Sequence, residues 1–256
     1  MSGQVKKVVL AYSGGLDTSV IIRWLKDKYG CQVIAFAADL GQGDALRPLP
    51  HRPKAAGADK LIIKDLREEF AREFGLPALQ AHAVYEGKYL LATALSRPLI
   101  AKHLATSAKQ EGADAVAHGC TGKGNDQVRV EVTLAALAPG VTCLAPVREW
   151  ELKSRDEEIE YAERHGIPLP IKKKSPYSLD RNLWGISIEA GPLENPWTAP
   201  PEDAFVLTVS PERAPAKPAV VEIGFSRGAP VSLNGRRMGL VALIQNLNQI
   251  AGRHGV

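Results

Sequence analysis

The residues from Leu10 to Ser19 read LAYSGGLDTS, a run of small, hydroxyl-bearing and acidic side chains that suits one kind of chemistry. Two adjacent glycines, Gly14 and Gly15, let a backbone turn sharply and approach a ligand with no Cβ in the way. The run stands between an apolar stretch (7–12) and a stretch of helical periodicity (18–29). A helix starting there offers unpaired N–H groups and the positive end of its dipole to an anion. Ser13, Thr18 and Ser19 add hydroxyls, and Asp17 adds a carboxylate that can hold a metal or orient a reacting group. The set fits a pyrophosphate. A plain glycine turn is the competing reading; the serine ahead of the glycines and the Asp-Thr-Ser behind them favour phosphate.

A second polar constellation runs His118-Gly-Cys-Thr-Gly-Lys-Gly-Asn-Asp-Gln-Val-Arg129. Such a loop can grip a zwitterion. Its backbone N–H groups, Thr121 and Asn125 can hydrogen-bond carboxylates, Asp126 can hold an ammonium, and Arg129 can clamp a carboxylate with two parallel bonds. The alternative is a solvated glycine loop with a helix cap at Asn125 or Asp126.

These residues need elements to hold them. Apolar runs at 7–12, 33–37, 60–64, 115–118 and 142–145 read as strands. Amphipathic segments at 18–29, 66–74, 90–112, 128–138 and 154–165 read as helices between them. Continuous apolar strands alternating with helices predict an α/β fold with a doubly wound parallel sheet. Ligands of such sheets sit at the carboxyl ends of the strands. The segments 13–17, 38–43 and 119–126 all follow strands and are expected to converge there. After Pro168 the alternation stops and prolines become frequent. Strands are expected at 205–209, 220–225 and 231–233, a turn at Asn234-Gly235, and a final amphipathic helix at 239–251. The organisation read from this is a nucleotide-binding domain at 1–168 and an α+β domain at 169–256.

Composition excludes several classes. With 256 residues, 45% hydrophobic and 23% charged, the chain is globular. Its net charge of +4 is mild and unsegregated, so nucleic acid is not an expected partner. The run Lys172-Lys173-Lys174 reads as a solvated face. Three cysteines (Cys31, Cys120, Cys143) show no paired spacing and no metal-ligand pattern, which fits a reducing compartment. No apolar run is long enough for a membrane span or a signal peptide, so a cytoplasmic protein is expected.

The spacing of the first loop is not that of a Walker loop. It resembles the SGG-x-D-x-S loop of enzymes that split ATP into AMP and pyrophosphate. Together with Ala38-Asp-Leu-Gly-Gln-Gly43, the segment Tyr89 to Ile100, the loop His118 to Arg129 and the stretch Pro176 to Ser187, the chain resembles the argininosuccinate synthase family from about Lys7 to Val256. The resemblance implies an adenine nucleotide α-hydrolase-like sheet followed by an incomplete synthetase domain. It also implies ligation of citrulline and aspartate through a citrullyl-adenylate, with ATP as substrate, Mg²⁺ on the ATP, and a homotetramer.

Site residues carry over where the motifs stand. Ala11, Tyr12, Ser13, Gly14, Gly15, Leu16, Asp17, Thr18, Ser19, Ala38 and Gly119 match the family's ATP contacts. Thr121, Asn125 and Asp126 match its aspartate site. Tyr89, Asn125, Arg129, Ser178 and Ser187 match its citrulline site. Asp17 is the candidate catalytic carboxylate, with helix N-capping as its other role; no metal-ligand set is named by the sequence.

The chain also departs from the family pattern. Ala94 replaces a serine, and Cys120 replaces an alanine and reads as inert. The stretch 44–53, DALRPLPHRP, stands where the family has an acidic helix, and its Pro48, Pro50 and Pro53 predict loop or extended structure. The family continues beyond residue 256, so citrulline binding and tetramer formation are open for this chain, and the final helix is expected to expose apolar surface. A truncated, non-catalytic nucleotide-binding remnant is the alternative reading. A tRNA-thiolating enzyme or a glutamine-dependent amidotransferase would need a cysteine pair or a glutaminase nucleophile that the sequence lacks.

Overall fold

The computed structural model describes residues 5–46, 49–168 and 176–256. Pro48 and the Lys172–Lys174 run lie outside them. Strands β1 (Lys7–Ala11), β2 (Gln32–Asp39), β3 (Lys60–Asp65), β4 (Ala115–Ala117) and β5 (Thr142–Leu144) form one sheet in the order β3-β2-β1-β4-β5. Every pair in it is parallel. The expected α/β class is borne out. Val8, Val9 and Leu10 of β1 and all three residues of β4 are fully buried, so side chains on both faces of the central strands meet apolar neighbours. That is why these strands read as unbroken apolar runs rather than alternating ones.

The helices are α1 (Leu16–Tyr29), α2 (Ala92–Glu111), α3 (Asp126–Leu137), α4 (Arg155–Arg164) and α5 (Leu240–Arg253), with shorter turns between them. Helix α1 buries Val20, Ile21, Ile22 and Leu25 in the same core as β1 and β2. Helix α4 is capped by Ser154, whose Oγ accepts the Glu157 N–H at 3.3 Å. The strand order reverses between β1 and β4, and the crevice outside such a switch is where this architecture places ligands.

Among the described residues, 5–65 with 97–168 form one compact unit and 66–96 with 176–256 form another. The second unit holds two antiparallel sheets. One is a hairpin of β6 (Ser178–Asn182) and β7 (Gly185–Glu189); the other orders β10 (Arg236–Arg237), β9 (Ala229–Leu233) and β8 (Ile223–Ser226). Asn234 and Gly235, both at positive φ, turn β9 into β10 as the sequence predicts.

Four local expectations are corrected. The segment 205–209 is not a strand: it follows a 3₁₀ turn (Glu202–Ala204), and the Val209 N–H donates to the Gly252 carbonyl at 2.9 Å instead of to a ladder. The helix expected at 66–74 runs on through a π-turn (Phe70–Gly75) to Gln80. Pro77, near the start of the last segment, has no N–H and would crowd the carbonyl four residues back, and the wider turn relieves that. Residues 52–55 form one helical turn (Arg52–Ala55) instead of extended chain, because Pro53 stands in its first turn, where the missing N–H has no partner to lose. The final helix, α5, does not present a bare apolar face: Leu240, Leu243 and Ile244 are buried, and Leu247 and Ile250 are half-buried.

Candidate functional site

The loop after β1 is held by its own hydroxyls. Ser13 Oγ lies 3.2 Å from Thr18 Oγ1 and accepts the Gly15 N–H at 3.3 Å. Ser19 Oγ donates to the Gly15 carbonyl at 2.8 Å and lies 3.1 Å from the Tyr12 hydroxyl. Gly14 has φ +85°, and a Cβ there would come within 2.4 Å of Leu49 Cδ2. Glycine is therefore required twice at that position, by backbone angle and by packing. Gly15 occupies the N-cap of α1 without a side-chain cap. Asp17, one position into the helix, does not fill the capping role that the sequence left open to it. Its carboxylate instead meets Glu158 of α4. Burial first, then the charge and hydrogen bond of Asp17, push the Glu158 carboxyl up to about 8, and Glu158 Oε2 is buried with no hydrogen-bond partner.

Two further loops of this unit leave the same edge of the sheet. After β2, Gln42 folds the chain on itself: its Oε1 accepts the Leu40 N–H and its Nε2 donates to the Ala38 carbonyl, each at 2.6 Å. After β4, Gly119 lies against the first turns of α1, with Ile21 Cδ1 3.3 Å and Thr18 Cγ2 3.6 Å from where its Cβ would be. Ala38, Gly119 and the residues from Ala11 to Ser19 thus stand at the carboxyl ends of adjacent strands.

In the loop that follows β4, Asp126 is held from both sides. Its Oδ2 accepts from Arg97 Nε and its Oδ1 from Arg129 Nη1, both at 2.8 Å. Asn125 sits at the N-cap of α3 but makes no side-chain cap bond. Thr121 is exposed. Burial, and then the nearby Asp126, push the Cys120 thiol up, so it stays protonated near neutrality and fits the inert reading.

His118 is 1% exposed, and burial holds its imidazole below the usual range, so it is neutral. Its Nδ1 accepts the Cys120 N–H at 3.1 Å, which assigns the ring proton to Nε2. His118, Glu131 and Cys143 have ligand atoms within 4.8 Å of one another, a spacing a metal ion can use. Arg148 already donates to Glu131, so that carboxylate is engaged in an ion pair instead of standing open to an ion.

The second unit brings Tyr89 and Ser187 together through Thr93. The Thr93 N–H donates to the Tyr89 hydroxyl at 3.0 Å, and Thr93 Oγ1 lies 3.2 Å from Ser187 Oγ. In the β6–β7 hairpin, Ser178 pairs with Glu189 and Ser187 with Asp180, so both serines share one face as diagonal neighbours. Asn182 (buried) ties the hairpin down by donating to the Ala92 carbonyl at 2.7 Å and accepting the Trp184 N–H at 2.8 Å. Sequence reasoning missed Arg97 and Thr93, although both stand inside a quoted motif; their types, a cation and a hydroxyl beside assigned residues, were the available signal.

Comparison with known proteins decides the family. Residues 7–168 match the profile described as "Arginosuccinate synthase N-terminal HUP domain", and residues 177–256 match "Arginosuccinate synthase C-terminal domain". The chain belongs to the argininosuccinate synthase family. It is 57% identical over 251 residues to an argininosuccinate synthase of Carboxydothermus hydrogenoformans and 58% identical over 252 residues to one of Aquifex aeolicus. Each match covers 98% of this chain and 63% of the relative, so the chain spans less than two thirds of these argininosuccinate synthases. A predicted subunit of a tRNA methyltransferase from Methanocaldococcus jannaschii superposes with a TM-score of 0.41 at 13% identity, over 61% of this chain and 75% of its own. No helix among the described residues is long and apolar enough to cross a membrane.

Proposed function

We propose that this chain binds ATP on the loop after β1 and carries the argininosuccinate synthase reaction. In that reaction the ureido oxygen of citrulline attacks the α-phosphorus and the bond to the β-phosphate breaks. Pyrophosphate leaves, and the amino group of aspartate then displaces AMP from the citrullyl-adenylate. A ureido oxygen is a poor leaving group until adenylylated, so the order follows from the chemistry. The protein's part is positioning and neutralisation of developing phosphate charge.

The supporting observation is the cradle from Ser13 to Ser19, hydroxyl-braced at the N-terminus of α1, within a family match that runs over 7–168. Ala11, Tyr12, Leu16, Ala38 and Gly119 complete the ATP candidates. Thr121, Asn125 and Asp126 are proposed for aspartate. Asn125 and Arg129 of the first unit, and Tyr89, Ser178 and Ser187 of the second, are proposed for citrulline. Mg²⁺ fits Asp17 and Glu158, since a buried carboxylate oxygen without a partner beside a second carboxylate calls for a cation or a proton. Bound there, the ion would offset phosphate charge. A cytoplasmic location is proposed; the homotetramer is the family's expectation, left open for this chain, and sedimentation of the purified chain decides it.

The test is pyrophosphate release from ATP and Mg²⁺. Release that requires citrulline, followed by argininosuccinate once aspartate is added, supports the assignment. ATP binding without citrulline-dependent release would refute the ligase reading and leave a nucleotide-binding remnant.

A further inference from the structure

The stretch 44–53 departs from the family pattern, and nothing proposed above uses it. Its part from Leu49 to Pro53 is nevertheless packed onto the phosphate cradle. Leu49 is 1% exposed and lies against Gly14, so close that no Cβ fits between them. Three residues on, Arg52 Nη1 donates to the Gly14 carbonyl at 3.2 Å. Burial raises the Tyr12 hydroxyl above its ordinary range, and the Ser19 hydrogen bond and then the Arg52 charge partly oppose that. Leu49 and Arg52 thus fix this segment to the loop at one glycine.

The cradle itself lacks the charge its ligand needs. From Leu10 to Ile22 there is no lysine, arginine or histidine, and the one charged side chain is Asp17. The N-terminus of α1 contributes the equivalent of only about half a positive charge. A Walker loop answers the same demand with a lysine inside its own motif. Here the demand falls on a residue from elsewhere. Arg52 spends one N–H on the Gly14 carbonyl and keeps its charge and its other donors; its planar fork suits phosphate oxygens.

We infer that Arg52 is a phosphate-binding residue, supplying from outside the loop the cation that the SGGLDTS sequence omits. The inference rests on the nucleotide reading and adds to it the residue that recognises the pyrophosphate portion.

Binding of three probes to the full chain tests it: inorganic pyrophosphate, ATP and adenosine, by titration calorimetry, with thermal melts as the folding control. Arg52→Gln is expected to weaken pyrophosphate and ATP together by about tenfold or more, as loss of a charged hydrogen bond does. Adenosine, which has no phosphate, should bind as before. The salt dependence of pyrophosphate binding should flatten in Arg52→Gln and persist in Arg52→Lys, which keeps the charge. Arg52→Lys decides the matter if the glutamine variant does not fold. Unchanged pyrophosphate affinity in a folded Arg52→Gln would overturn the inference. So would a parallel loss of adenosine, which would mean that the loop had merely collapsed. Wild-type chain that binds none of the three would sink the nucleotide reading, and this inference with it.

Discussion

Asp126 accepts from Arg129 at 2.8 Å through one oxygen while its other oxygen accepts from Arg97 at the same distance. A carboxylate gripped by two guanidiniums cannot rotate freely, so its orientation is set before the aspartate proposed for this site arrives. Arg97→Gln removes one grip and leaves the helix intact. The expected outcome is a KM for aspartate raised by roughly tenfold, the scale of a lost charged hydrogen bond, with the KM for ATP nearly unchanged. Equal shifts in both would show that Arg97 acts on the fold and not on Asp126.

Gly14 is constrained by its φ of +85° and by Leu49. Gly14→Ala should lower the melting temperature and abolish nucleotide binding. Combining it with Leu49→Ala removes the collision but not the backbone strain. The double variant is therefore expected to regain part of the stability and little of the binding, as differential scanning calorimetry beside ATP titration would read.

His118 is kept neutral by burial. Its pKa is lower folded than unfolded, so below the ordinary value of about 6.5 the unfolded chain takes up a proton that the native one refuses. Stability supplied at neutral pH is then lost as pH falls through that window. His118→Asn, whose side-chain oxygen can still accept the Cys120 N–H, should melt at a temperature less sensitive to acid between about pH 7 and pH 5. Parallel melting curves for the two proteins would contradict this.

Thr93 joins Tyr89 to Ser187. Thr93→Val keeps the shape and the backbone bond to Tyr89 but deletes the hydroxyl. Loss of one neutral hydrogen bond costs about 1 kcal/mol, so the KM for citrulline should rise by roughly fivefold with ATP binding unaffected. An unchanged citrulline KM would remove Thr93 from that role.

The parallel sheet was legible because its strands are buried on both faces and spell continuous apolar runs, as Val8, Val9 and Leu10 do. The β6–β7 hairpin was not. Strand β6 holds a single apolar residue, Leu179, and the alternation of Ile186 and Ile188 in β7 spans only five residues, too short a run to stand out from a loop. At 205–209 the opposite happened: apolar residues clustered as in a strand, but the partner found there is the carboxyl end of α5. The bracing of the first loop was foreshadowed by residue type, since the hydroxyls of Ser13, Thr18 and Ser19 are what hold it. The grip of Arg97 on Asp126 and the reach of Arg52 to Gly14 span 29 and 38 positions, and no local pattern encodes such distances.

Strand β1 pairs with β2 on one side and β4 on the other, and its register with β4 couples Val8 to Ala115. During synthesis the β1–β2–β3 half of the sheet is available early, whereas one edge of β1 stays bare until residue 117 has left the ribosome. That edge leaves backbone N–H and C=O groups unpaired between the apolar Val8, Val9 and Leu10, and such an edge is a template for wrong partners. The nascent chain is thus most vulnerable to aggregation while residues 66–114 are being made, and holding that one strand edge is what a chaperone would have to do for it.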